Sequence, residues 1–388
     1  MKRKKLIIIV ALITAASLII VCYRQADIQY RKDKADFYNV QRDEHERHIR
    51  IEKNWIMKNQ GLSGEIYMNS QAAGGAKDVN PYFSCQAALG LLASPVSQQD
   101  LDAVLHYLQW HTKELVDNNG IVCNYTYSEE QKCLISTEKY DSVDSYLALY
   151  LEVLAKYANA TGDLSLVGDW ETAVEISLSC LEELMTDGLC RIKPDSEIIY
   201  LMDNLEVLNS LTELQKFLPK NEKIGRMIEA LQQSIVLKLW NDGDKRFEIG
   251  ISNEEGKPFK YDGMEEFYPD AVAQLYPLYY SLPGVDDKYK EALYKEFCDT
   301  YNWEEEHIQG TVFDWPMLAS VAVSMGNMER AESYYERYCI EYGTDDNRDY
   351  PFYVGVSGME IIMEEKYLSY MAKWKETSLL HDVMMRGL

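Results

Sequence analysis

Apolar positions along this chain follow a helical period almost throughout. After Ser97, which can cap a helix, apolar residues recur at Leu101, Val104 and Leu108, the spacing of one face of an amphipathic helix. The segment 143–158 instead leaves almost no polar face, which is typical of a helix buried on all sides. The pattern predicts an all-α fold in which amphipathic and buried helices alternate.

Short turns divide the predicted helices into pairs. The pairs cover 82–94 with 97–117, 143–160 with 164–186, 197–217 with 221–241, 264–282 with 286–301, and 312–325 with 328–342. A charged helix at 36–59 and a last helix at 356–375 make a sixth pair if the ends of the domain meet. Six hairpins with buried inner helices predict an (α/α)6 toroid. An open solenoid is the alternative, although the spacing of the pairs is irregular for one.

The N-terminal segment differs in composition from the rest. Residues 1–5 contain four basic side chains and 6–22 are apolar, which predicts a cytoplasmic tip followed by a signal anchor or transmembrane helix. No small-residue cleavage motif follows, so we favour an anchor over a cleaved signal, with secretion as the alternative. We expect a linker at 23–35, an extracytoplasmic toroid domain at 36–378 that the anchor holds at the membrane, and a tail at 379–388.

Composition narrows the function. A net charge of −24 argues against a nucleic-acid partner, because such proteins need a basic surface to displace counterions from phosphates. Tyrosine is abundant, with 29 Tyr against 9 Phe and 7 Trp. A tyrosine offers a flat apolar face and a hydroxyl group, which suits a wet groove that binds sugars.

The cysteines do not indicate a metal or cofactor. None has CxxC spacing, and we predict no metal site and no cofactor. Outside the cell, Cys123 with Cys133 or Cys180 with Cys190 could close short disulfide loops, and buried reduced thiols are the alternative.

The loops that lead into the inner helices share a chemistry, since each combines aromatic residues with a carboxylate, a proline or both. Together with the first helical turns they contain Tyr82, Tyr140, Asp141, Asp144, Tyr200, Asp203, Asn204, Tyr268, Asp270, Asp314 and Trp315. Any one of these residues could simply cap its helix or fill the core. In a toroid, however, all inner helices begin at the same face, so these side chains would converge on one acidic, aromatic groove.

The helical repeat over roughly 36–375 and the segments 140–146 (YDSVDSY) and 200–204 (YLMDN) resemble the six-hairpin glycosidases. The resemblance is to a bacterial, membrane-anchored member, and it implies an (α/α)6 toroid that acts on a poly- or oligosaccharide. The same superfamily contains polysaccharide lyases and phosphorylases, so the resemblance implies a carbohydrate substrate more firmly than it implies a hydrolysis reaction.

Hydrolysis of a glycosidic bond needs a protonated carboxyl group on one side and a carboxylate that activates water on the other. The resemblance to toroidal glycosidases also implies an inverting mechanism, since most of them invert the anomeric configuration. We expect Asp144 or Asp141 as the base and Asp203 as the acid. Glu65, in a glycine-flanked loop near where family 8 glycoside hydrolases carry their acid, is the alternative acid.

The remaining loop residues are candidate sugar ligands. Stacking on sugar rings is expected from Tyr82, Tyr140, Tyr268 and Trp315, and hydrogen bonding from Tyr200, Asn204, Asp270 and Asp314.

A non-catalytic module that binds a polysaccharide or a protein is the competing class of function. Toroidal terpene and lanthipeptide enzymes are disfavoured, because the sequence has neither clustered DxDD acids nor a Cys/His zinc pattern.

Overall fold

A computed structural model describes residues 2–386 except 71–76, 253–256, 260–262, 265, 306–314, 344–347 and 349–351. Thirteen α-helices lie in the described residues. They are α1 (Lys2–Lys58), α2 (Pro81–Leu91), α3 (Gln98–Asp117), α4 (Val143–Thr161), α5 (Trp170–Leu184), α6 (Leu201–Phe217), α7 (Glu222–Ser234), α8 (Val272–Tyr279), α9 (Asp287–Thr300), α10 (Pro316–Ser324), α11 (Met328–Tyr342), α12 (Val354–Trp374) and α13 (Leu379–Arg386).

The chain divides into two compact units. The larger unit, Ile49–Glu365, contains every loop that the sequence assigned to the groove. The smaller unit consists of Met1–His48 and Lys366–Leu388. Within it, Lys34 Nζ lies 2.7 Å from Asp382 Oδ2, and the backbone N–H of Leu379 donates to Asp27 Oδ1 at 2.7 Å. These contacts hold α13, predicted as a tail, against α1.

The N-terminal segment is helical from residue 2 onwards, without a break over the predicted linker at 23–35. No helix in the described part of the chain is both long enough and apolar enough to cross a membrane. The side chains of residues 1–6 and 8–13 lie outside the description. The anchor at 6–22 stays a prediction.

Inner helices of the larger unit form the predicted ring. Helices α2, α4, α6, α8 and α10 contact one another in this order, and each packs against the outer helix that follows it in the chain. The sixth hairpin joins the two ends of the unit: Ser357 Oγ on α12 donates to Glu52 Oε2 on α1 at 2.6 Å. Its inner helix α12 reaches α2, where Gly90 and Gly358 bring the two backbones together. The six-hairpin prediction is confirmed.

Short strands interrupt the helical pattern. They are β1 (Asp78–Val79), β2 (Tyr125–Ser128), β3 (Cys133–Ser136), β4 (Met185–Thr186), β5 (Leu189–Cys190), β6 (Ile198–Tyr200), β7 (Trp240–Asn241), β8 (Arg246–Phe247), β9 (Gly250–Ser252) and β10 (Lys257–Phe259). They pair in the antiparallel orders β1-β2-β3, β10-β9-β6, β4-β5 and β7-β8. Strands of two to four residues are too short to show a two-residue alternation, so the sequence pattern missed them.

One of these strands moves a predicted helix boundary. Ile198–Tyr200 pairs with β9, so the helix expected from 197 begins at Leu201. Asp203 and Asn204 therefore lie in the first turn of α6.

The cysteines are free thiols. Cys85 and Cys190 are completely buried. Neither predicted disulfide is present, and of the two alternatives the structure has the reduced thiols.

The contact between α12 and α2 gives a stability prediction. A Cβ atom at Gly358 would lie 2.1 Å from the backbone oxygen of Gln86, so Gly358→Ala must push two helices apart. We expect a loss of about 1–3 kcal/mol in the free energy of unfolding, the usual cost of overpacking. The measurement is urea unfolding of the purified chain.

Gly225→Ala is the matched control on the outer helix α7. Its Cβ would meet only the flexible side chain of Gln215, at 3.2 Å. A helical Gly→Ala change without a clash should raise stability by about 0.5–1 kcal/mol. Equal stability of Gly358→Ala and the wild type would show that the two inner helices do not touch there.

Candidate active site

A cavity of about 300 Å³ opens where the inner helices begin. All six inner helices or their leading loops contribute to its wall. The described lining residues are Asn80, Tyr82, Phe83, Gln86, Asp141, Ser142, Ser145, Tyr146, Met202, Asp203, Glu206, Tyr268, Tyr276, Tyr279, Tyr280, Trp315, Met317 and Met359. The predicted convergence of acidic and aromatic side chains is therefore present.

Two carboxyl groups lie one helical turn apart on the cavity wall. Asp203 and Glu206 occupy positions i and i+3 of α6, which places them on one face of the helix. Asp203 is half-buried and Glu206 is 3% exposed. The Tyr82 hydroxyl donates to Glu206 Oε1 at 2.7 Å and fixes that carboxyl group against α2.

Burial keeps both groups protonated to unusually high pH. Removal from water raises the pKa of Asp203 to about 7, and the neighbouring Asp141 carboxylate adds to this effect. Burial, reinforced by Asp203, raises the pKa of Glu206 to about 8. At neutral pH the cavity wall therefore carries a carboxyl group that can donate a proton.

The two aspartates that precede and begin α4 differ in exposure. Asp141 is exposed and lines the cavity. Asp144 is completely buried and does not line it, and its Oδ1 accepts a hydrogen bond from the Ser145 backbone N–H at 2.9 Å. Burial first, then the charge of Asp203, raises the pKa of Asp144 well above its usual range. Of the two candidate bases, the geometry favours Asp141.

Asn204 holds the backbone together rather than facing the cavity. Its Oδ1 accepts from the Cys190 backbone N–H at 2.7 Å, and its Nδ2 donates to the backbone oxygens of Cys190 and Tyr200 at 3.0 and 2.8 Å. The side chain is completely buried. This geometry argues against its predicted role as a sugar ligand, because backbone groups already use its oxygen and both N–H bonds.

Glu65 is likewise committed to its own loop. It is 3% exposed, accepts from the Tyr67 hydroxyl at 2.7 Å and from the Ser63 backbone N–H at 3.1 Å, and does not line the cavity. The geometry favours Asp203 over this alternative acid.

Several predicted ligands are not among the described residues that line the cavity. Tyr140 lies against Lys193, whose Nζ is 5.7 Å from the ring centroid. Tyr200 ends β6, and Asp270 is buried in the helical turn before α8. Asp314 lies outside the described residues.

Three predicted aromatic residues do line the cavity. Tyr268 is 58% exposed, and its ring packs on that of Trp315 with centroids 5.6 Å apart and planes tilted by 34°. The third, Tyr82, packs against Phe83, with ring centroids 5.4 Å apart. Aromatic faces bordering a cavity with carboxyl groups suit the stacking of sugar rings.

Sequence reasoning missed Glu206 and three deep tyrosines, Tyr276, Tyr279 and Tyr280. A signal for Glu206 exists: it lies three residues after Asp203, between Leu205 and Val207, on an otherwise apolar stretch of the inner helix. A carboxyl group at such a position must be paired or protonated.

Comparison with protein-family models and with curated protein sequences gives no match. Solved structures do match. A novel α-amylase from Clostridium perfringens has a TM-score of 0.58 at 12% identity, over 82% of this chain and 98% of that chain.

Two mannanases match over similar lengths. An inactive variant of an α-1,6-mannanase from a Salegentibacter species, in complex with α-1,6-mannotriose, has a TM-score of 0.52 at 9% identity, over 84% and 99% of the two chains. A GH76 α-mannanase from Bacteroides thetaiotaomicron has a TM-score of 0.51 at 13% identity, over 86% and 97%. The chain therefore has the (α/α)6 toroid fold found in these glycosidases.

Proposed function

We propose that this protein is a glycoside hydrolase that cleaves a poly- or oligosaccharide with two carboxyl groups. The observation that carries the proposal is the placement of protonated carboxyl groups and an exposed aspartate on one aromatic-lined cavity. The glycosidase fold supports the proposal. So does the mannanase variant above, which is described as inactive and has two aspartates replaced by asparagine.

The environments of the carboxyl groups support separate roles. Asp203 reaches the cavity and stays protonated near neutral pH, as a general acid must. Asp141, exposed at the mouth, is the candidate base that activates water for an inverting displacement. Glu206, held by Tyr82, is the candidate to hydrogen-bond the sugar next to the bond that breaks.

The charge of the cavity supports a choice of substrate. The charged side chains that line it in the described parts of the chain are all acidic: Asp141, Asp203 and Glu206. The carboxylate of a uronate would be repelled by these acidic side chains. This favours a substrate of neutral or amino sugars and argues against a lyase that acts on uronates. Since matched structures include α-mannanases, α-mannan is the first substrate to test.

We also propose that the N-terminal segment anchors the protein in the membrane with the larger unit outside the cytoplasm. The four basic residues before the apolar run 6–22 support this orientation.

Activity of single variants tests the hydrolase proposal. We expect Asp203→Asn and Asp141→Asn each to lower kcat by about 100- to 10,000-fold, because each removes one proton-transfer group. The measurement is reducing-end release by the full-length chain from α-mannan, starch, β-glucans, chitosan and polygalacturonate.

Asp195→Asn is the matched control, because Asp195 lies in a loop at the same face but is exposed and does not line the cavity. Unchanged turnover in Asp203→Asn would contradict the assignment. Glycan binding that Tyr268→Ala weakens, without hydrolysis of any glycan, would indicate a binding module instead.

The raised pKa of Glu206 predicts a pH-dependent stability. Between its usual pKa of 4.5 and about 8, the folded state keeps a proton that the unfolded state loses, so stability falls as the pH rises. Glu206→Gln does not titrate there. When the pH rises from 4 to 9, the free energy of unfolding of this variant should increase by on the order of 2 kcal/mol relative to that of the wild type. Urea unfolding at both pH values measures this gain.

Glu129→Gln is the control of opposite sign. Hydrogen bonds from Lys132 and Lys77 lower the pKa of the exposed Glu129 to about 2. Its carboxylate therefore stabilises the folded state above pH 4, so the variant should not gain stability at pH 9. A Glu206→Gln variant that follows the wild type at every pH would show that Glu206 ionises normally.

Membrane fractionation tests the anchor. The full-length chain should stay with membranes after alkaline carbonate extraction, and replacement of two apolar residues of the run, Leu12 and Leu18, by Asp should release it. Extraction of the unaltered chain would contradict an integral anchor.

A further inference from the structure

Two carboxyl oxygens next to the cavity have no hydrogen-bond partner among the described residues. They are Asp144 Oδ2, on the first turn of α4, and Asp203 Oδ2, on the first turn of α6. Both atoms are shielded from water, and α4 packs directly against α6. Buried oxygens are rarely left unpaired, and a protonated carboxyl group can donate to an ionised or neutral one.

A backbone brace fixes the two helix starts relative to each other. The side chain of Asn204 on α6 binds both the N–H and the C=O of Cys190. Two residues further on, the carbonyl oxygen of Ile192 accepts from the backbone N–H of Val143, at 2.6 Å, and of Asp144, at 3.4 Å. The first turns of α4 and α6 are therefore joined through one short segment, independent of any substrate.

The surroundings of the two aspartates favour protonation. The titratable groups that influence them are Asp141 on the loop before α4, Glu206 on α6, Cys190 on β5, Tyr200 at the start of α6, and Tyr268. All of these are acidic or neutral, and burial outweighs the hydrogen bond of the Ser142 side chain, which favours the ionised form of Asp203. Two carboxylates in such a place would repel each other, so the more deeply buried one, Asp144, keeps its proton.

We propose that Asp144 is a positioning residue, whose protonated carboxyl group donates a hydrogen bond to Asp203 Oδ2 and directs the other oxygen of Asp203 into the cavity. The catalytic consequence rests on the proposed hydrolase function, whereas the hydrogen bond does not. When Asp203 gives its proton to the leaving oxygen, the Asp144 proton stays in place and stabilises the new carboxylate. No proton leaves Asp144 in this cycle.

Carbon-13 NMR of aspartate carboxyl groups tests the hydrogen bond without requiring any activity. In the wild type, the Asp144 signal, identified by its absence from Asp144→Asn, should remain that of a protonated acid at pH 7, and Asp203 should titrate with a midpoint near 7. An Asp144 signal of an ionised carboxylate at pH 7 would overturn the proposal. This arm uses the unaltered fold.

Two variants of Asp144 separate hydrogen bonding from charge. Asp144→Asn keeps the size and an N–H donor, so the Asp203 midpoint should stay within about 0.5 pH units of wild type. Asp144→Ala removes the donor, so the midpoint should rise by about one unit or more, because the Asp203 carboxylate loses a stabilising hydrogen bond. An unchanged midpoint in Asp144→Ala, or a fall of a full unit in Asp144→Asn, would refute the donor role.

Kinetics test the catalytic consequence. Asp144→Ala should lower kcat with little change in KM and move the alkaline limb of the pH profile up by about one unit, while Asp144→Asn should retain most of the turnover. Loss of turnover in Asp144→Asn as complete as in Asp203→Asn would instead make Asp144 a catalytic group. If no glycan is hydrolysed, the proposed function fails, and the NMR result still decides the hydrogen bond.

Discussion

Closure of the helical ring is the constraint on which the rest of this structure depends. In an open row of hairpins, the loops that lead into the inner helices would lie along a line. Contact between α12 and α2 closes the row, so these loops surround one cavity. That contact is possible because Gly90 and Gly358 let two backbones meet without side chains between them. A buried ion pair supports the same closure: Arg348 donates to Glu52, and the two side chains are 1% and 0% exposed. Breaking such a pair is costly because it leaves a charge without its partner in the interior.

Helix positions could be predicted because burial leaves a period in the sequence, and the boundaries of α4 were read to within one residue from it. The acids at the helix starts could be predicted because the inner helices of a ring all begin at the same face, where their first residues come close together. Glu206 was missed because a single acid inside a helix looks like an exposed position. The role of Asn204 depends on Cys190, fourteen residues away along the chain, and only the tertiary structure shows that pairing.

The cavity also shows how buried carboxyl groups conflict with stability. Asp144, Asp203 and Glu206 are each placed where ionisation is unfavourable, and no described basic side chain lines the wall beside them. An apolar residue at any of these positions would suit the core better. The hydrogen bonds of Asn204 to Cys190 therefore matter, since they hold the first turns of α4 and α6 in register without depending on these carboxyl groups.

The size of the cavity limits the length of polymer that it can hold. At about 300 Å³, it lies at the lower limit of the roughly 300–1,000 Å³ that is usual for small-molecule sites. In the proposed hydrolase, a long glycan would therefore leave most of its length outside, and the deep tyrosines and Glu206 would contact only a short part of it. The exposed rim, where Tyr268 packs on Trp315, would then bind the rest of the polymer. If the proposed function holds, selection for a different polysaccharide can change the rim loops and leave the proposed proton-transfer groups beneath them unchanged.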